Sequence, residues 1–121
     1  MKNSIYIFAL LFTFGTISCK DENCTEEFKT ISVAVKTFEG EPAQLNQVYW
    51  IDLSTQDTTT LQPTTSGVYT LADDNSNING EATFRFDAYK DNFLVASEDY
   101  TLEMGECHIE KLSGRSTITL D

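Results

Sequence analysis

The stretch Thr83 to Leu102, TFRFDAYKDNFLVASEDYTL, decides the fold. In its first half Phe84, Phe86 and Ala88 alternate with Thr83, Arg85 and Asp87. Successive side chains of a strand point to opposite faces, so a spacing of two puts the apolar set on one side and the polar set on the other. Lys90-Asp91-Asn92 follows as turn chemistry, because Asn and Asp tolerate the left-handed backbone of a tight hairpin. Phe93 to Leu102 then continues as the returning strand.

The same period recurs on both sides of this hairpin. Ile31, Val33 and Val35 alternate with Ser32, Ala34 and Lys36, and Val48 and Trp50 interleave with Tyr49, Ile51 and Leu53. Val68 to Leu71 and Thr117 to Leu120 are shorter runs of the same kind. Gly, Pro, Asn and Asp punctuate them: Glu39-Gly40-Glu41-Pro42, Gln62 to Gly67, and the polar loop Asp73 to Gly80. No segment after the first 18 residues carries a helical stripe. The expectation is an all-β chain, a single antiparallel β-sandwich of about six to eight strands, transthyretin-like or immunoglobulin-like.

The start of the chain reads differently. Met1-Lys2 is a short basic beginning, Ile5 to Phe14 is a compact apolar run, and Thr16-Ile17-Ser18-Cys19 closes it. This reads as a secretory signal peptide, which can be helical, because a membrane-spanning helix needs ~20 apolar residues. The ending resembles a bacterial lipoprotein signal, cut before a cysteine that then receives lipid at Cys19. Thr16 and Ile17 match that pattern loosely and Ser18 fits it. The alternative is ordinary secretory cleavage after Ser18. Lys20-Asp21-Glu22 resembles the export signal of surface lipoproteins in one large phylum of Gram-negative bacteria; its bland alternative is a solvated polar tether. The expected organisation is a signal peptide over 1–18, a lipidated cysteine and short acidic tether over 19–24, and a β-sandwich over 25–121. The expected place is the outer membrane, lipid-anchored and exposed at the cell surface.

Cysteine use agrees with an oxidising envelope. With Cys19 lipidated, Cys24 and Cys107 remain, and a Cys24–Cys107 disulfide is the simplest assignment. It would close a loop of about 84 residues and stabilise by ~4–5 kcal/mol in the chain-entropy model. Two unpaired thiols are the alternative. No CxxC occurs, so neither a redox motif nor a thiolate zinc site is indicated.

Cleavage after Ser18 leaves 103 residues, the size of one domain. Lys2 is lost, so 19 acids face 7 bases and the formal charge is −12. Such a surface repels nucleic acid and anionic headgroups. Solubility at a crowded cell surface is the plain reading of the scattered acids.

Val33-x-Val35, Gly40-x-Pro42, Val48-x-Trp50 and Thr64-x-x-Gly67-x-Tyr69-x-Leu71 resemble the carboxypeptidase regulatory-like domain. That family runs strand, G-x-P turn, strand, then T-x-x-G-x-Y into the next strand. The match covers about residues 31–71, and Gln47 stands where the family has Gly. The resemblance implies a transthyretin-like sandwich and a non-catalytic accessory module.

The residues argue against an enzyme. His108, the single histidine, adjoins Cys107, and neighbours on a strand face apart, so the pair is not a nucleophilic dyad. No HExxH, GxSxG or phosphate loop occurs. Asp73-Asp74 and Glu98-Asp99 are ordinary in so acidic a chain. Asp73, Asn75 and Asn77, with Asn79 and Glu81, alternate as a calcium loop could, but Ile78 and Phe84 occupy the EF-hand glycine and glutamate positions. A solvated Asx-rich turn is the stronger reading, and no cofactor is expected. Asp57-Thr58-Thr59 resembles a short bacterial O-glycosylation site with Thr58 as acceptor. Tyr49, Trp50, Tyr69, Tyr89, Phe93 and Tyr100 are candidates for a carbohydrate or peptide platform, most of them needed for the core. Tyr49 and Trp50 must face opposite sides.

Two function classes fit. One is a surface binding or assembly module, with the membrane held through lipid and a protein partner at the outer membrane, for example as an accessory subunit of a nutrient-uptake system. The other is a purely structural or adhesin-like envelope lipoprotein.

Overall fold

A computed structural model describes residues 27–121. Cys19, Lys20, Asp21, Glu22 and Cys24 lie outside the described residues, as does the whole of the expected signal peptide. The described chain is all-β and contains no helix. Nine strands occur in order: β1 (Thr30–Lys36), β2 (Gln47–Asp52), β3 (Thr58–Thr60), β4 (Pro63–Thr65), β5 (Val68–Asp73), β6 (Glu81–Lys90), β7 (Phe93–Met104), β8 (Ile109–Ser113) and β9 (Thr117–Thr119). One sheet has the order β4-β5-β1-β9 and the other β3-β2-β6-β7-β8.

Two differences from the sequence expectation are physical. The count is nine because Thr58–Thr60 and Pro63–Thr65 pair as three-residue edge strands, with all six residues exposed. Without a buried face they show no apolar alternation, so sequence reads them as loop. The sheets are also not wholly antiparallel. β9 runs parallel to β1, pairing Ala34 with Thr117 and Lys36 with Thr119. Apolar spacing fixes which face of a strand is buried but carries no information on strand direction.

The alternating runs do what their spacing requires. Ile31, Val33, Val35, Tyr69, Leu71 and Ile118 are buried from the first sheet, and Trp50, Phe84, Phe86, Tyr100, Leu102 and Ile109 from the second, in one shared cluster. Across the two sheets Tyr69 and Phe86 meet edge to face, with ring centroids 5.8 Å apart at 66°. Trp50 stacks on Phe84 at 4.8 Å. Such contacts add to the burial energy of the rings.

Two of the sequence motifs meet in space. Pro42 bridges to Lys36 beside the end of β1, and Val35 N–H donates to Gly67 C=O at 2.8 Å. Gly67 has φ +75°, and a Cβ there would lie 2.9 Å from the Pro42 Cβ. Neither the backbone angle nor the space admits a larger residue.

The β6–β7 hairpin closes with Asp91 (φ +53°) and Asn92 (φ +70°), flanked by the Lys90–Phe93 pair. Two central residues with positive φ match the right-handed twist of the flanking strands.

Candidate functional site

The segment leading into β1 is fastened by one carboxylate. Asp74 follows β5; its Oδ2 accepts from Lys29 N–H at 2.8 Å and lies 2.7 Å from His108 Nδ1. Its Oδ1 accepts from Ile109 N–H at 2.8 Å. Asp74 therefore ties together the start of β1, the loop after β5 and the start of β8. The Lys29 hydrogen bond, with those of Ile109 and His108 and the His108 charge, holds its carboxyl down at about 2 against the opposing effect of desolvation. Three bonds commit both oxygens.

His108 is not on a strand. It ends the β7–β8 connection, where Gly105 N–H donates to His108 C=O at 3.0 Å. The expected strand alternation between Cys107 and His108 thus does not apply, because the chain bends over residues 106–108 before β8 begins. Cys107 sits in the same connection and is not without a partner. Its expected partner, Cys24, lies outside the described residues, so that pairing stays a proposal.

The Asp73–Gly80 loop is built from its own hydrogen bonds. Asp73 Oδ1 accepts from Asn75 N–H at 2.9 Å, and Ser76 Oγ accepts from Asp73 N–H at 2.9 Å. These are the Asx-type contacts expected of such a loop. Among the described residues no three His, Cys, Asp or Glu side chains converge as a metal site. Thr58 is exposed on the edge strand β3.

The aromatic candidates divide by face. Trp50, Tyr69 and Tyr100 are core. Tyr49 and Tyr89 are half-buried on the opposite face of β2 and β6, edge to face at 5.8 Å. Phe93 alone is largely exposed, at 73%.

Phe93 belongs to a run of exposed apolar residues at the start of β7. Phe38 is also 73% exposed, Leu94 52% and Val95 38%. An open groove of about 410 Å³ lies there, lined by Phe38, Lys90, Val95 and Leu120 among others. Its origin is a mismatch of strand lengths. β7 has twelve residues, but β8 pairs only with Thr101 to Met104. The first part of β7 therefore runs beyond its neighbour, held by β6 alone. Phe38 reaches the groove from the turn after β1, which Gly40 N–H closes on Thr37 C=O at 2.9 Å. Glu39 and Asp121 set acids beside it, with Lys90 the one cation lining it. An exposed apolar surface with a charged rim is the usual form of an interaction site.

By sequence Phe93 is a platform candidate, and its spacing makes Phe93 to Leu102 one half-buried strand. The signal was present in Phe93-Leu94-Val95-Ala96, four successive apolar residues. Such a run must place apolar groups on both faces of a strand.

The groove and the Asp74 clasp lie at opposite ends. β1 leads from Lys29, held by Asp74, to Phe38 at the groove, and its seven residues extend ~23 Å. No family model, curated protein or solved structure matches this chain.

Proposed function

We propose that this chain is a non-catalytic, lipid-anchored protein of the bacterial outer-membrane surface, whose transthyretin-like sandwich serves as a binding or assembly module for a protein partner. The observation that carries the binding role is the apolar end formed by Phe38, Phe93, Leu94 and Val95, set at the far end of β1 from the Asp74 clasp. A lipid on Cys19 would tether the domain from the clasp end and leave the apolar end facing away. The Cys24–Cys107 pairing would shorten that tether further, since the five steps from Cys19 to Cys24 reach at most ~18 Å. Such a domain stands next to other envelope proteins rather than reaching for distant ligands. A partner at the apolar end favours the binding module over a purely structural lipoprotein.

The test is crosslinking in the native cells, with mass measurement of the purified protein. The expected result is a lipid-modified mature chain beginning at Cys19 that captures a defined envelope protein. A Cys19→Ser variant should lose membrane fractionation. An unmodified mass with unchanged fractionation of the variant would overturn the anchor, and the absence of any crosslinked partner would overturn the binding role.

A further inference from the structure

We propose that the open edge of β7 over Phe93–Ser97 takes up an extended segment of the partner protein as an added antiparallel or parallel strand, apolar at alternate positions and flanked by basic residues. The proposal rests on the reading of the domain as a binding module and names how that module binds.

β7 pairs with β6 from Lys90–Phe93 to Glu81–Glu103, whereas β8 takes up its other edge only from Thr101 onward. Among the described residues, no strand pairs with that edge over Phe93–Ser97 and no backbone hydrogen bond reaches it. A strand directs alternate N–H and C=O groups to each side, so this edge offers a ladder for another chain. Main-chain pairing gives affinity in such strand addition, and side-chain pockets give specificity. The pocket is present: Val95, on the open edge, also lines the groove with Phe38 and Leu120. The register shift between Ala88 and Tyr89 makes Val95 the extra residue of β7. A bulge bends a strand and re-aims a side chain. It also interrupts the edge, which suits a short peptide better than continuous pairing between whole sheets.

Charge selects the occupant. Glu39 and Asp121 line the groove and Asp91 lies in the adjoining turn, against one cation, Lys90. The whole chain carries −11. A second copy would bring the same acids to the edge, so like charge opposes self-pairing, while Lys or Arg flanks on a partner segment are attracted.

The probe is a synthetic ten-residue peptide, Lys-Lys-Thr-Val-Thr-Val-Thr-Val-Lys-Lys with blocked ends. It would be titrated into the full-length protein in mild detergent and followed by fluorescence anisotropy. Two controls keep the side chains or the length: a version N-methylated at alternate backbone positions and a version with Glu flanks. Both should bind at least tenfold more weakly. A Val95→Lys protein should lose binding at an unchanged melting temperature. Amide exchange should be fast at the outward amides of Phe93–Ser97 and slow when the peptide is added. Equal binding of the N-methylated peptide, or no binding of the parent, overturns strand addition. So does an edge already protected without peptide, which would mean that a second copy or the chain's own N-terminal segment occupies it. If the native crosslinked partner is captured equally by the Val95→Lys protein, the binding module stands and the edge is not its site. If no partner is captured by either, the binding reading itself falls.

Discussion

Gly114 has φ +114°, and a Cβ there would meet the Tyr100 ring at 2.1 Å. Tyr100 is fully buried, and its hydroxyl donates to Arg115 C=O at 2.6 Å. Ring and glycine therefore interlock at one point between β8 and β9. Gly114→Ala should destabilise by about 2–4 kcal/mol, from an unfavourable backbone angle plus overpacking against a ring that has no free side. Urea unfolding checks this, and a midpoint unchanged from the parent would contradict the packing. Asp74 leads to a pH prediction. Its pKa falls from 3.8 to about 2 on folding. A carboxyl depressed by folding contributes stability that is complete above its unfolded value and is lost as pH drops towards its folded value. The parent should therefore lose stability between about pH 4 and pH 2 through this group. The difference from Asp74→Asn should narrow as pH falls below 4. A difference that does not narrow would show that the charge of Asp74 is irrelevant to the clasp. Of Asp73 and Asp74, sequence offered no basis for choosing. The partners that single out Asp74 are Lys29, 45 residues away, and Ile109, 35 residues away.

Among the elements, the β6–β7 hairpin was the most legible. Alternation gave the buried face of β6, and Lys90-Asp91-Asn92 gave the turn. Asn92, at φ +70°, should tolerate Gly with no loss of stability, whereas Asn92→Ala should cost about 1 kcal/mol through the left-handed backbone alone. Thermal melting of the two variants distinguishes them, and equal melting would argue against this turn geometry. Tyr49 and Trp50 were legible in the same way: Trp50 is core and Tyr49 is on the opposite face. The link between β8 and β9 was not. Arg115 places two guanidinium nitrogens on Glu98 Oε1, at 3.0 and 2.8 Å, and its own N–H on Oε2 at 2.9 Å. This clamp holds the turn that brings β9 alongside β1. Glu98 had read as one acid among many, since nothing local marks its partner 17 residues further on. β8 was equally hidden, because only Ile109 of its five residues is buried and a single apolar position makes no period.

For the whole molecule, a Cys24–Cys107 bond would connect the segment before β1 to the β7–β8 connection, beside the Asp74 clasp. Non-reducing peptide mapping should recover the two peptides joined, and reduction should lower stability by ~4 kcal/mol in the chain-entropy model. Separate peptides from fully oxidised protein would end the assignment. The all-β character, the buried faces of β1, β2, β5 and β6, and the positions of the main turns were determined by local order along the chain. Each depends on side-chain alternation or on turn residues within a few positions, and both are written in neighbouring residues. The candidate site depended on tertiary structure. Phe93, Leu94 and Val95 are exposed along a part of β7 that β8 stops short of, and Phe38 meets Val95 at the groove because β1 ends beside β9. Strand order, the parallel β1–β9 pairing and the length of each partner are non-local quantities. Burial of a strand depends on what lies alongside it, and no window of sequence contains both.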